Sequence, residues 1–180
     1  MLELVFFAAI SCDGYLAGPD GDMAWAEKYL SPEEDYGFTE LMGNTAALIM
    51  GSKTFDFNLS AMGDEPQPLP TFVLTTSPMK YDGLKDPNVH LVHGPLDQVV
   101  DELSRHIRGQ LLVLGGADVV RQAIDANLLN KIQLFITPDV LGSGTRLFEG
   151  ELEGTLAAYT KDSERDYPNG LRMLSYRLGE

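Results

Sequence analysis

The segment Leu111-Leu112-Val113-Leu114-Gly115-Gly116-Ala117-Asp118-Val119-Val120 constrains the fold more than any other stretch of the chain. An apolar run of strand length stops at two glycines, and a helical pattern starts at once. A strand that ends in Gly-Gly at a helix start lets a ligand approach the backbone closely. The first turn of such a helix offers free N–H groups and a positive dipole end, which suit an anion such as a phosphate. A tight strand-to-helix turn without a ligand would read the same way. The segment therefore predicts a local fold first and a phosphate-bearing cofactor second.

Apolar runs at residues 4–10, 47–50, 71–75, 89–92 and 132–137 read as further strands. Residues 96–107 and about 118–126 carry helical periodicity. Ser31-Pro32-Glu33-Glu34 reads as a helix start, with Ser31 at the N-cap, Pro32 at the first helical position and Glu34 closing a capping box. Phe38, Leu41, Met42 and Thr45 then share one helical face. Residues 13–22 and 138–150 are glycine-rich loops, and residues 58–70, with three prolines, read as an exposed loop. Residues around 157–163 and 172–178 suit a closing antiparallel hairpin. Strands alternating with helices predict an α/β domain with a mainly parallel central sheet. The 180 residues, without repeat or linker, fit a single domain spanning 1–180.

The formal net charge of −14 argues against nucleic-acid binding, which needs a basic face to displace counterions. Any phosphate site must then be locally positive. Cys12 is the sole cysteine, so an intrachain disulfide and the cysteine-rich zinc sites are excluded. His90 and His93 lie three apart, but further ligands at metal-site spacing are missing, and no metal is expected. No basic region precedes an apolar stretch, and no apolar run reaches the roughly eighteen residues of a membrane span. A soluble cytoplasmic protein without membrane partners is the expectation.

Three strand ends invite comparison: Gly51-Ser52-Lys53-Thr54, Thr75-Thr76-Ser77 and Gly115-Gly116. In open α/β sheets, ligands bind at the carboxyl ends of the strands. Hydroxyls, a lysine and bare backbone at three such ends suit a dinucleotide, although each alone is ordinary turn chemistry. Residues 51–54 are not a Walker A loop, which needs adjacent Gly-Lys with another glycine five positions earlier. Gly115-Gly116 lacks the third glycine of a Rossmann fingerprint.

The order of these motifs resembles the dihydrofolate reductase superfamily, and more closely the reductase domain of the riboflavin-pathway deaminase–reductases. The residues carrying the resemblance are SCDGYLAGPDGDMAW (11–25), ALIMGSKTF (47–55), FVLTTSP (72–78), LLVLGGADVV (111–120) and ITPDVLGSGTRLFEG (136–150). The resemblance implies a dihydrofolate reductase-like three-layer α/β/α fold with a C-terminal antiparallel hairpin. It implies an NADPH-dependent reductase of a small heterocycle, resembling 5-amino-6-(5-phosphoribosylamino)uracil reductase, with a dihydrofolate or pterin reductase as the alternative. A nucleotide-binding module without catalysis is the alternative from another class. A homodimer is also implied.

By the same resemblance, Gly51, Ser52, Lys53 and Thr54 sit at the cofactor phosphates. Thr75, Thr76 and Ser77 approach the adenosine ribose, and Gly115, Gly116, Ala117, Asp118 and Val119 carry the pyrophosphate. Ala9, Ile10 and the loop 13–21 border the nicotinamide. The family often has arginine where Ser52 stands, which leaves the choice between NADPH and NADH open. The family's spacing from Gly51 leads back to Asp35 as the carboxylate that grips the substrate ring. Asp35 would otherwise only complement the helix dipole with Glu33 and Glu34. Asp13 is the second catalytic candidate, or else a turn-forming Asp-Gly. Thr137 could bond the Asp35 carboxylate, and Trp25 and Phe38 are substrate candidates, with core packing as the plainer role for Trp25. Residues 56–70 contain no lysine or arginine, which weakens the match to a ribosyl phosphate substrate. His-x-Glu and Cys-x-x-Cys, the marks of a deaminase half, are absent.

Overall fold

Ten strands and six α-helices, besides short 3₁₀ turns at Pro19–Gly21 and Pro78–Tyr81, follow one another among the described residues of the computed structural model, which describes every residue except Asp64, Glu149, Glu151 and Glu180. In chain order they are β1 (Leu2–Ser11), β2 (Tyr15–Ala17), α1 (Ala24–Glu27), α2 (Phe38–Asn44), β3 (Thr45–Gly51), α3 (Ser52–Met62), β4 (Thr71–Leu74) and β5 (Val89–Val92). They continue as α4 (Leu96–His106), β6 (Gly109–Gly115), α5 (Ala117–Asp125), β7 (Leu129–Thr137), β8 (Thr145–Arg146), α6 (Leu152–Thr155), β9 (Tyr159–Asp166) and β10 (Arg172–Leu178). Eight strands form one sheet in the order β5-β4-β3-β6-β1-β7-β10-β9, and β2 pairs with β8 in a separate ribbon. The strands β5, β4, β3, β6, β1 and β7 are mutually parallel, whereas β10 runs antiparallel to both β7 and β9. The expected α/β class, parallel sheet and closing hairpin are all present.

Alternation along β1 divides the core. Leu4, Phe6 and Ile10 join the cluster that buries the apolar faces of α4 and α5. Phe7 and Ala9 point to the other face, where Phe7 packs against two smaller clusters, one with Leu41 and Met42 of α2 and Phe55 of α3, the other around Phe135. The middles of the central strands, Ala47 to Met50 in β3 and Leu111 to Val113 in β6, are nearly inaccessible, which explains why they read as continuous apolar runs.

Three expected boundaries differ. The helix predicted from Ser31 starts only at Phe38, because Tyr36 and Gly37 both have positive φ, at 56° and 83°, and break any helix before them. The capping box does not form. Ser31 Oγ accepts from the Glu33 N–H, and Glu34 accepts from the Tyr36 N–H while facing Arg165. The predicted loop at 58–70 is helical up to Met62, since its three prolines all fall at or beyond Pro66. Thr45, expected on the helical face, instead begins β3, and its hydroxyl donates to the Leu41 carbonyl at 2.8 Å.

Candidate functional site

Parallel pairing brings the carboxyl ends of six strands to one edge of the sheet. In spatial order these ends are Val92, Leu74, Gly51, Gly115, Ser11 and Thr137. Every strand-end candidate from the sequence therefore lies along a single line. At its centre, α3 and α5 both begin at this edge and touch through their first turns. The Gly116 N–H donates to Thr54 Oγ1 at 2.7 Å, tying one helix start to the other. Gly115 and Gly116 have φ of 122° and 42°, conformations that glycine adopts without penalty. A Cβ on Gly51 would sit 3.3 Å from Val119 Cγ2, and one on Gly116 would sit 3.6 Å from Thr54 Oγ1 and 3.9 Å from Gly51 Cα. The three glycines thus open a cradle of bare backbone between two helix N-termini.

Lys53 is exposed on the first turn of α3, and among the described residues no carboxylate pairs with it. Beside it, Asp56 accepts from Tyr81 Oη at 2.9 Å and pairs with Lys80, and Tyr81 Oη reaches the Ser52 carbonyl at 3.4 Å. Burial, then the Asp56 hydrogen bond, push the Tyr81 hydroxyl up to about 12, so it remains a donor at neutral pH. At the end of β4, Thr75 is buried and Thr75 Oγ1 accepts from the Ser77 N–H at 3.1 Å, leaving Thr76 and Ser77 exposed. A cleft of about 360 Å³ continues outward from Thr75 between β5 and α4, lined by Val92, His93, Gln98 and Val99.

On the other side of the centre, the ends of β1 and β7 are joined by a polar lock. Ser11 pairs in register with Thr137, and both are buried. Ser11 Oγ donates to Asp13 Oδ1 at 2.6 Å, and the Asp13 carboxylate accepts from Leu141 N–H at 3.1 Å and Gly142 N–H at 2.8 Å. Partial burial would raise the Asp13 carboxyl, but these bonds outweigh it and hold it below the usual carboxylate range. Asp139 binds Lys28 Nζ at 2.5 Å and Tyr29 Oη at 2.7 Å, and these two, Lys28 first, hold its carboxyl low as well. Thr137 Oγ1 accepts from the Asp139 N–H at 3.4 Å, and no bond to Asp35 is among its contacts. Asp35 lies in the exposed turn before α2. Its carboxylate accepts from Gly37 N–H at 2.9 Å and Thr39 N–H at 3.1 Å, bonds that keep it ionised.

The sequence pattern of the RibD C-terminal domain family matches residues 3–171. The chain belongs to this family. A Shewanella sp. PV-4 protein provisionally assigned to riboflavin biosynthesis superposes with a TM-score of 0.82 and 28% identity, covering 99% of both chains. The diaminohydroxyphosphoribosylaminopyrimidine deaminase/5-amino-6-(5-phosphoribosylamino)uracil reductase of Thermotoga maritima gives a TM-score of 0.75 at 12% identity, over 98% of this chain and 56% of that one. Enterococcus faecalis dihydrofolate reductase, solved with NADP(H), gives 0.69 at 18% identity, over 99% of this chain and 97% of that one. The fold is that of dihydrofolate reductase.

Within this RibD-type domain, the cradle gathers Gly51 to Thr54 with Gly115 to Val119, while Thr75 to Ser77 stand one strand further out. Asp118 is exposed on α5 and pairs with Arg121. Ala9 and Ile10 are close to the end of β1, Ala9 on the aromatic face and Ile10 buried on the other. Trp25 lies on α1, with its indole Nε1 buried and without a partner among the described residues. Phe38 is half exposed, its ring 6.2 Å from that of Phe7. Sequence reading missed the aromatic group on this face: Phe7, Phe135, Tyr36 and Tyr167. The period-2 alternation of β1, which puts Phe7 with Ala9, held that signal. Glu149, in the last of the family motifs, lies outside the described residues. Also among the described residues, no helix is long and apolar enough to cross a membrane, and no cluster of three acidic, cysteine or histidine side chains suits a metal ion.

Proposed function

We propose that this protein is a nicotinamide-dependent reductase of a small heterocycle, with NADPH as its cofactor. The observation that carries the proposal is the double helix-start cradle at Gly51 and Gly115-Gly116. Its bare backbone, two dipole ends and the unpaired Lys53 fit a pyrophosphate. Thr75 to Ser77 and the cleft beyond Thr75 support an adenosine end extending outward. The Ala9 and Ile10 end of β1 then borders the nicotinamide, under the loop that Asp13 pins to residues 141–142. The cofactor supplies a hydride. The Thermotoga reductase indicates the reaction class, a riboflavin-pathway reduction of an aminouracil derivative.

The residues of the chain bind and orient. Asp13 is ionised and hydrogen-bonded through both oxygens, so it positions the loop and is a poor acid at neutral pH. Asp35 is also ionised. Its lone pairs beyond the two backbone bonds suit the N–H groups of a heterocycle, while the proton comes from water.

Two substitutions test the reading. Lys53→Ala is expected to weaken NADPH binding more than about tenfold, the scale of one charge-assisted contact. Titration by nicotinamide fluorescence measures it, and unchanged affinity removes Lys53 from the site. Running NADH in parallel reports whether Ser52, in place of arginine, still leaves a preference for the 2′-phosphate. Asp35→Asn keeps one acceptor for the turn but removes the charge. Turnover should fall about tenfold or more while cofactor affinity holds. Equal turnover would reduce Asp35 to a cap of α2.

A further inference from the structure

The polar lock at Asp13 extends to one more charged residue. Arg146 ends β8 and pairs in register with Tyr15 of β2. Its Nη2 donates to the Asp13 carbonyl at 3.0 Å, and its guanidinium lies 5.1 Å over the Tyr15 ring. Tyr15 is itself fixed. Its N–H donates to Ser11 Oγ at 2.9 Å, and its hydroxyl donates to the Gly142 carbonyl at 3.2 Å. The backbone behind the guanidinium is anchored too. The Arg146 carbonyl accepts from Arg121 Nη1 of α5 at 3.2 Å, and the buried Leu147 donates its N–H to the Gly14 carbonyl at 3.0 Å. Arg146 therefore spans from α5 to the loop that follows β1. Among the described residues, only the Asp13 carbonyl accepts from its fork of N–H groups.

Charge singles Arg146 out. Of the lysines and arginines at the carboxyl-end edge, Lys28, Lys80, Arg121, Arg165 and Arg172 each face a carboxylate. Among the described residues, only Lys53 and Arg146 there do not. The sheet order β4-β3-β6-β1 puts them on opposite sides of the cradle, Lys53 on α3 towards β4 and Arg146 beyond α5 towards β1. A pyrophosphate carries charge on both phosphates, and a chain of net charge −14 has to meet each of them with a local cation. We propose that Arg146 binds the nicotinamide-side phosphate of the cofactor, across the cradle from Lys53 on the adenosine side. The Tyr15 ring holds the guanidinium plane in place, so its remaining N–H groups are set to grip two oxygens of one phosphate. The same residue ties the bound phosphate to the loop that Asp13 pins. This inference rests on the reductase reading for the ligand, and on the charge distribution for its placement.

The test is calorimetric titration of the full chain with two probes, NADPH and adenosine 2′,5′-bisphosphate, which stops at the adenosine-side phosphate. Arg146→Ala is expected to weaken NADPH about tenfold and to leave the bisphosphate within about twofold of the wild type. Arg146→Lys keeps the charge without the planar fork and should recover part of the loss. Lys53→Ala should weaken both probes. Added salt should reduce NADPH affinity less steeply in Arg146→Ala than in the wild type, because one screened contact is gone. Circular dichroism checks the fold. If Arg146→Ala does not fold, Arg146→Gln takes its place, since it keeps a stem over Tyr15 and an N–H donor for the Asp13 carbonyl. Equal loss of both probes overturns the proposal, because residue 146 would then act on the cradle as a whole. If the wild type binds NADPH and the folded Arg146 variant binds it within about twofold, the assignment fails while the reductase reading stands. If the wild type binds neither probe, the reductase reading fails and the assignment falls with it.

Discussion

Gly144→Ala should lower the melting temperature by about 6–12 °C, corresponding to a loss of about 3 kcal/mol or more for a domain of this size. A Cβ at Gly144 would fall 2.2 Å from the Ala17 carbonyl oxygen, 2.6 Å from the Gly18 carbonyl carbon and 2.8 Å from Gly18 Cα. All three are backbone atoms, so no side chain can swing aside. The glycine also has φ of 126°, outside the range that an alanine accepts readily. Relief requires the β2–β8 ribbon to part, and that ribbon holds the loop over the strand ends. Gly142→Ala is the control. Its φ of 72° carries a left-handed penalty of about 1–2 kcal/mol, but nothing lies within 4 Å of the added carbon. Scanning calorimetry on both variants decides the matter. Equal, small shifts would mean that the 144 to 17–18 contact is not a fixed part of the fold.

Gly116→Val should weaken NADPH binding about a hundredfold or more, equivalent to about 2.7 kcal/mol. Gly116 has φ of 42° and ψ of 131°, and its N–H is held by Thr54 Oγ1. A branched side chain there adds bulk where two helix starts converge and tilts the N–H groups that the pyrophosphate would meet. Thr54→Ser keeps the hydroxyl and should bind as the wild type does. Thr54→Val leaves the Gly116 N–H without its acceptor and should lose affinity in part. Circular dichroism separates a folded variant with an altered cradle from an unfolded one. A folded Gly116→Val with affinity within about threefold of the wild type would place the cofactor elsewhere.

Much of the scaffold was legible along the chain. Strands with continuous apolar runs, such as β3 and β6, were found because burial on both faces leaves a local mark that tertiary contacts do not have to explain. The same holds for α4 and α5, whose apolar residues repeat at helical spacing. The start of α2 was not legible. Ser31-Pro32-Glu33-Glu34 has every local mark of a helix N-terminus, but Tyr36 takes a positive φ. Its ring lies edge-on to both Phe135 and Tyr167, and its hydroxyl donates to the Tyr29 carbonyl. Those partners stand up to 131 residues away in the chain, and their packing outweighs the local signal. Asp35 consequently falls in a turn instead of on a helix face.

The sequence by itself determined the α/β class, the parallel core and the alignment of three ligand-type strand ends, because strand and helix periods and glycine punctuation act over a few residues. Only the tertiary structure decided which charges are available and which are spent. Lys28 and Asp139, or Arg165 and Glu34, meet across more than a hundred residues, and no spacing in the chain announces such pairs.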